Sequence, residues 1–253
     1  MKATTLLRRL VRNDARLIFR DPMVSLLLAV SVLAGVLARF ALPAIDASLA
    51  EGGVMPSAEG GMRFSDTFPL WVAYFGLWNS GQLPGTAFAF LLLDEKEDQT
   101  LLAMRVTPLP FHRYLAWRLA LPFVLAVVAA LLVVPLIGLA PLPVAQLLPM
   151  ALCGALTAPI VALTLAMFAD NKVQGFAYTK FVGVAGLLVL VSWFVPLPWQ
   201  WLGALFPPFL VCKACWMALA GDPRWWWPLP LSAALQLGLL ALLLRRARRT
   251  ALR

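Results

Sequence analysis

The sequence predicts an all-α integral membrane protein with six transmembrane helices and an interfacial amphipathic helix at its N-terminus. Of its 253 residues, 62% are hydrophobic and 13% are charged. Soluble domains have about 45–50% apolar and about 25% charged residues. Polar residues this scarce cannot cover the surface of a soluble globule. The composition therefore excludes a soluble enzyme, a disordered chain and a disulfide-rich secreted domain. A third observation is that long uncharged stretches alternate with short charged segments.

The uncharged stretches define the spans of a single transmembrane domain over residues 1–253. A helix needs about 20 apolar residues to cross the hydrocarbon core of a bilayer. The stretch from Phe181 to Cys212 is too long for one span and too short for two, and prolines break its second half. We therefore predict an outer interfacial or re-entrant segment over residues 199–225. The predicted spans are residues 22–42, 69–93, 115–140, 144–169, 181–198 and 226–245.

The basic residues predict the orientation of these spans. Six lie before the first span and five lie after the last, so both termini are expected on the cytoplasmic side. With six spans, 17 of the 21 Lys and Arg residues fall on that side of the membrane and four on the other. We therefore interpret the net charge of +9 as a topology signal and predict no nucleic-acid partner.

Residues 1–21 are predicted to form the interfacial helix. Within Leu6–Arg20 the apolar residues occupy one arc and five arginines cover the opposite side, as in helices that lie at a membrane surface. Asp14 falls inside the apolar arc, where a carboxylate is costly without a partner. It either pairs with a nearby arginine or contacts a partner protein or the next cytoplasmic loop.

The first predicted cytoplasmic loop, residues 94–114, opens with four carboxylates at the membrane boundary. A short helix is predicted at Gln99–Val106, and it carries apolar residues that a solvated loop does not require. These residues indicate docking against the bilayer surface or against a protein. The second loop, Asp170–Lys180, is short, and Gly175 is predicted to break its helix.

The sequence contains no GxxxxGK[ST] phosphate-binding loop, no HExxH motif and no GxSxG motif. The predicted spans also have no acidic or basic residue near their centres, where ion-coupled transporters usually carry one. These observations indicate a transport path that takes its energy from a partner ATPase. We expect no enzyme activity, no metal site and no cofactor in this chain.

Three polar residues, Asn79, Ser80 and Gln82, interrupt the second span. They either form hydrogen bonds between helices or line a substrate path. Cys212 and Cys215 lie one helical turn apart and are interpreted as two small apolar side chains.

The segment Glu95–Pro108, EKEDQTLLAMRVTP, resembles the first cytoplasmic loop of ABC-2 type transporter permeases, whose pattern is roughly ExE/RxGTLxxLxxTPL. Gln99 departs from this pattern, since the family usually has glycine there. Residues 13–22 (NDxRxIxRDP), 171–175 (NKVQG) and 207–216 (PPFxxxKAxW) are similar to small bacterial members. The last of these is similar to drug-export permeases, including a fluoroquinolone-export group.

The resemblance implies an ABC-2 exporter-like fold in the bacterial inner membrane. In such families the N-terminal helix and the first loop dock a separate nucleotide-binding subunit, and the second loop adds a smaller contact. A second permease copy or a paralogue completes the path, ATP and Mg²⁺ bind to the ATPase partner, and the expected cargo is a hydrophobic or amphipathic compound, such as a drug. The residues expected to couple to the ATPase subunit are Asp14, Arg20, Glu95, Glu97, Thr100, Leu101, Thr107, Pro108, Asn171, Lys172 and Gly175.

Two alternatives stay open. The cluster of Asp94, Glu95 and Asp98 resembles a DExxD site for Mg²⁺ and a diphosphate, which would make the chain a membrane-embedded transferase. In the second alternative, the chain is an ion-coupled secondary transporter or a non-transporting assembly subunit. Flux that depends on a proton gradient but not on ATP would favour the secondary transporter.

Overall fold

The computed structural model describes residues 22–52, 63–98 and 111–251. Helices account for nearly all of these residues, and no β-strand occurs within them, so the all-α prediction is confirmed. The predicted N-terminal interfacial helix lies outside the described residues. In chain order the elements are α1 Pro22–Glu51, a 3₁₀ turn Phe64–Thr67, α2 Phe68–Ala73, a π-helical segment Tyr74–Trp78, α3 Asn79–Glu97, α4 Phe111–Ile137, α5 Val144–Ala155, α6 Thr157–Phe168, α7 Lys172–Phe194, a 3₁₀ helix Trp199–Leu205, α8 Pro207–Leu219 and α9 Pro228–Ala251.

Five helical segments in the described part of the chain are long and apolar enough to cross a membrane. Each exposes large apolar side chains, among them Leu33, Leu132 and Leu188. Such surfaces are unfavourable in water, whereas a helix in lipid satisfies its backbone internally and can leave them exposed. The chain is therefore a multi-pass integral membrane protein. The five segments are Ser25–Glu51, Tyr114–Ile137, Val144–Phe168, Lys172–Phe194 and Pro228–Ala247.

The second predicted span forms the centre of the bundle. Here α2, the π-helical segment and α3 follow one another without a break from Phe68 to Glu97. Almost every residue from Ser80 to Leu93 is buried, and α3 packs chiefly against α6 and also against α4 and α1. Its polar first turn and acidic last turn lower its hydropathy, which is why this helix is not among the five apolar segments named above.

Glycine allows α3 and α6 to meet backbone to backbone. A Cβ atom at Gly85 would lie 2.6 Å from the carbonyl oxygen of Ala158 and 2.9 Å from its Cα. Gly81 approaches the carbonyl oxygen of Gly154, near the end of α5, in the same way, with 2.9 Å for the corresponding Cβ. Small residues at such positions are typical of tightly packed membrane helices.

Two helices extend beyond their predicted spans. α1 continues to Glu51 rather than ending near residue 42, and Pro43 is accommodated within it. α7 begins at Lys172 rather than near residue 181, and it ends at Phe194 because a proline follows two residues later.

The segment predicted to be interfacial or re-entrant contains the 3₁₀ helix and α8. α8 is a short apolar helix whose Phe209, Leu210, Cys212 and Cys215 are buried against neighbouring helices. Both cysteines are free thiols within the main apolar cluster of the bundle. The segment therefore turns back into the protein interior instead of lying wholly on its surface.

Candidate functional site: the junction of the two predicted cytoplasmic loops

The end of α3 and the start of α7 meet at one end of the bundle, and we call residues 94–98 and 169–176 the loop junction. Lys172 Nζ forms an ion pair with Asp94 Oδ1, and the backbone N–H of Lys172 donates a 2.8 Å hydrogen bond to Glu97 Oε1. Lys96 Nζ donates to Asp170 Oδ1 at 3.0 Å and to the carbonyl oxygen of Ala169 at 2.8 Å. The two predicted loops are thus joined by reciprocal ionic contacts.

A helix cap fixes the second half of the junction. The side chain of Asn171, at the N-cap of α7, accepts a 2.9 Å hydrogen bond from the backbone N–H of Gln174. The Gln174 side chain in turn accepts a 3.0 Å hydrogen bond from the backbone N–H of Asp170. Such reciprocal capping satisfies backbone donors at a helix start and sets the direction in which the chain enters the helix.

Gly175 does not break the helix as predicted; it lies inside α7 and is buried. A Cβ atom there would lie 2.6 Å from Leu93 Cδ1 and 3.3 Å from Phe90 Cε1. The glycine therefore permits a close approach of α7 to α3, and the neighbouring Phe176 ring packs against Phe90 at 6.1 Å between centroids. The correction follows from packing, since a helical glycine is tolerated where another element must approach closely.

Glu95 turns inward and ties the junction to α4. Its Oε2 accepts a hydrogen bond from the hydroxyl of Tyr114, and its Oε1 accepts one from Nη2 of Arg118 in an ion pair. Arg118 is only 3% exposed. Removing a guanidinium from water is costly unless it is paired, so Glu95 accounts for how Arg118 can lie inside the protein.

Other junction residues face outward. Glu97 and Asp98 are exposed, the Asp170 side chain is 79% exposed, and Val173 is 81% exposed. The arrangement offers an acidic surface beside an apolar side chain. Such a surface is suited to contact a protein that presents basic and apolar groups.

The structure brings together five of the predicted coupling residues at this junction. They are Glu95, Glu97, Asn171, Lys172 and Gly175. The other predicted coupling residues lie outside the described residues. These are Asp14, Arg20, Thr100, Leu101, Thr107 and Pro108.

The three predicted path residues lie at the start of α3, in the bundle interior. Ser80 is fully buried and Gln82 nearly so, whereas Asn79 is partly exposed. The Ser80 hydroxyl has no hydrogen-bond partner among the described residues. Their part in a substrate path stays a prediction.

Several site residues escaped the sequence-based prediction. Asp94, Lys96 and Asp170 carry ion pairs across the junction, and Tyr114 and Arg118 hold Glu95. A signal for the last two exists in the sequence, because residues four apart share one helix face and can grip the same carboxylate.

The transferase alternative requires its three carboxylates to converge. Asp94 pairs with Lys172, whereas Glu95 pairs with Arg118 on another helix. Across the described ranges, no group of three His, Cys, Asp or Glu residues is arranged to hold a metal ion. The acidic cluster is thus divided between two different cations.

Together, the apolar bundle and the ionic junction at its end define a multi-pass integral membrane protein. The chain belongs to the family described as fluoroquinolones export permease protein Rv2686c-like, which matches residues 14–244. This confirms the resemblance to drug-export permeases.

Two curated relatives are the fluoroquinolones export permease proteins MT2760 and Rv2686c of Mycobacterium tuberculosis, strains CDC 1551/Oshkosh and ATCC 25618/H37Rv. Each is 31% identical to this chain over 241 residues, which cover 94% of this chain and 92% of the relative. These relatives are named as permeases rather than as enzymes. No solved structure matches the chain.

Proposed function

We propose that this chain is the membrane-spanning permease subunit of an ATP-driven ABC exporter in the bacterial inner membrane. Two copies, or one copy and a related permease, form the path, and both termini face the cytoplasm. A separate ATPase subunit, which binds ATP and Mg²⁺, docks on the loop junction and on the N-terminal helix. The observation that carries this proposal is the set of ionic contacts that join the second loop to the end of α3, a helix that is largely buried in the described bundle.

The cargo is a hydrophobic or amphipathic drug, and fluoroquinolones are the first candidates. The names of the two relatives support this choice, since both are called fluoroquinolones export permeases. The apolar character of the spans supports it as well, because a path without charged lining suits a compound that partitions into lipid.

The junction can pass a movement of the ATPase into the bundle. A displacement of residues 94–98 pulls α7 through the Lys172 contacts and α4 through Glu95. Because α3 packs along α6, a shift of α3 also moves the bundle centre. Closure of the ATPase subunits would in this way shift the spans between inward-facing and outward-facing arrangements.

The buried polar groups support an external energy source. Among the described residues that are buried, Arg118 is the only charged one, and Glu95 neutralises it at the junction. Ion-coupled transporters usually carry ionisable groups along a relay within the membrane. The remaining buried polar side chains are neutral hydroxyls and amides, which favours ATP hydrolysis on a partner over proton coupling.

Purification of the tagged chain from its native host in a mild detergent, followed by mass spectrometry, tests the proposal. We expect a stoichiometric partner that carries a GxxxxGK[ST] motif. The variant Glu97→Lys should recover less of this partner, because it reverses the charge of the exposed junction surface.

The matched control is Arg224→Glu, which reverses an exposed charge in the segment between α8 and α9, on the predicted outer side. It should recover the partner at the wild-type level. A chain that purifies alone and fails to bind an added candidate ATPase contradicts the proposal. If Glu97→Lys recovers the wild-type amount of partner, docking on the junction surface is refuted.

A further inference from the structure

A cavity of about 390 Å³ lies between elements that are far apart in the sequence, and it is open on the side where Phe181 and Leu205 are exposed. Its walls come from α6, α7, α9 and the turn between the 3₁₀ helix and α8, and Trp78 closes one side. Thr157 and Gln236 place it near the middle of two membrane-spanning segments. Its volume falls within the range of about 300–1,000 Å³ that is typical of small-molecule sites.

Aromatic rings form much of the cavity wall. Trp78, Phe181 and Phe206 all line it, and the rings of Trp78 and Phe206 meet edge to face at 5.1 Å between centroids. Flat aromatic ligands gain favourable contacts from such faces and edges beyond the simple burial of area. The wall therefore favours a flat aromatic compound.

One polar part of the wall is already paired. The hydroxyl of Thr157 donates to Gln236 Oε1 at 3.0 Å, and Gln236 Nε2 donates to the carbonyl oxygen of Cys153 at 3.1 Å and to Ser232 Oγ at 3.0 Å. These bonds fix the Gln236 amide and the Thr157 hydroxyl in place. They make this side of the cavity wall rigid, and they do not involve the hydroxyl of Thr164, another lining residue.

One other donor lies in the wall. The hydroxyl of Thr164 makes no hydrogen bond within the part of the chain that the structure describes, whereas the indole nitrogen of Trp78 packs against Gly186 of α7. Unpaired donors in an apolar setting favour a ligand that supplies acceptors. The lining contains no ionisable side chain, so it suits a ligand without net charge.

Trp78 also connects the cavity to the loop junction. It is the last residue of the π-helical segment, and such segments occur frequently at functional sites. The next residue begins α3, which runs about 28 Å at 1.5 Å per residue and ends at Glu97 in the junction. A movement of the junction along α3 therefore reaches the cavity wall.

A second cavity of about 500 Å³ provides a contrast. It lies between α5 and α9 and is lined almost entirely by apolar side chains such as Leu152, Leu156 and Leu237. Its Cys153 thiol already donates to the carbonyl oxygen of Leu229 at 3.5 Å. Because its lining is almost entirely apolar, this cavity suits a lipid chain and serves as a control.

We propose that the cavity behind Trp78 binds the transported compound, and that its ligand is a flat aromatic molecule without net charge whose edge carries hydrogen-bond acceptors. The hydroxyl of Thr164 donates to one of those acceptors, and the aromatic rings, that of Trp78 among them, cover the faces. This inference rests on the proposed export function and names where the cargo is held.

Binding of ciprofloxacin to the purified chain, followed by the fluorescence anisotropy of the drug, tests the site. Ala185→Phe fills the cavity and should weaken binding by at least about tenfold. Thr164→Val keeps the shape and removes the donor. It should weaken binding about fivefold to tenfold, the usual effect of losing one hydrogen bond.

Two control variants should bind ciprofloxacin as the wild type does. Val184→Phe enlarges the neighbouring residue on α7, which is 59% exposed and lies outside the cavity lining. Ala233→Phe fills the second cavity. Size-exclusion profiles identify a variant that fails to fold. If Ala185→Phe fails to fold, the ciprofloxacin affinity of the isosteric Thr164→Val tests the site by itself.

The outcomes separate the two proposals. Wild-type affinity in both Ala185→Phe and Thr164→Val overturns the cavity proposal while export of the drug stands. Weakened binding in Ala233→Phe alone moves the site to the second cavity and overturns the proposal as well. If the wild-type chain neither binds nor exports ciprofloxacin, the proposed cargo class fails and the cavity assignment fails with it.

Discussion

The ion pair of Glu95 and Arg118 offers the sharpest test of the structure. The side chain of Arg118 is 4% exposed and that of Glu95 is 18% exposed, so both charges lie largely out of water. The variant Glu95→Gln keeps the size of the side chain and one acceptor for the Tyr114 hydroxyl, but it leaves the guanidinium without its counter-charge.

Removing one partner of a buried pair costs about 3–5 kcal/mol. Because water reaches part of Glu95 and the amide retains an acceptor, we expect the lower end, about 3 kcal/mol. For a chain of this size each kcal/mol lowers the melting temperature by about 2–4 °C, so Glu95→Gln should melt about 6–12 °C below the wild type.

Thermal unfolding in detergent, followed by tryptophan fluorescence, measures this effect. In the double variant Glu95→Gln/Arg118→Met both charges are gone, so its loss should be smaller than the sum of the two single losses by about 2 kcal/mol. The pair of Asp222 and Arg224, 3.7 Å apart with side chains 31% and 81% exposed, is the control, and Asp222→Asn should change stability by at most about 1 kcal/mol. A Glu95→Gln chain that melts with the wild type, or strictly additive losses, would refute the buried pair.

Three further predictions follow from the packing and the junction. Gly85→Ala should destabilise the fold because its new Cβ would meet the backbone of Ala158. Gly183→Ala, with no atom within 4 Å of the new Cβ, should leave stability unchanged or raise it by up to about 1 kcal/mol. Comparison of the two melting temperatures checks this prediction. Asp94→Lys and Lys172→Glu should each impair export, and the double variant should recover export. The double variant restores the ion pair and places each charge at the helix end that favours it. Drug efflux from cells measures all three variants, and a double variant that does not recover export contradicts the contact. All three cysteines are buried and free, so a maleimide should label the folded chain slowly and label three sites after denaturation; rapid labelling of the folded chain contradicts their burial.

The spans could be predicted from the sequence because they depend on local composition. A bilayer requires long apolar helices, and five such helices appear where uncharged stretches occur. The start of α7 at Lys172 was also accessible, since Asn171 followed three residues later by Gln174 is a capping pattern.

The junction was less accessible because its contacts join residues far apart in the chain. Lys96 and Asp170 are 74 residues apart, and no local pattern specifies their pairing. Gly175 shows a related limit, since a glycine that ends a helix and a glycine that admits a neighbouring leucine look the same in sequence. Arg118 lies at the start of the predicted span 115–140, and only its partner Glu95 explains its burial.

The most direct test of the central claim is drug flux in proteoliposomes that contain the chain together with its co-purified ATPase. In inside-out vesicles the ATPase faces outward, and ATP added outside should drive accumulation of ciprofloxacin in the lumen. A protonophore should leave this accumulation intact. Replacing the lysine of the partner's GxxxxGK[ST] motif should abolish it. Accumulation that needs a proton gradient and proceeds without ATP would contradict the account, because the chain would then be a secondary transporter.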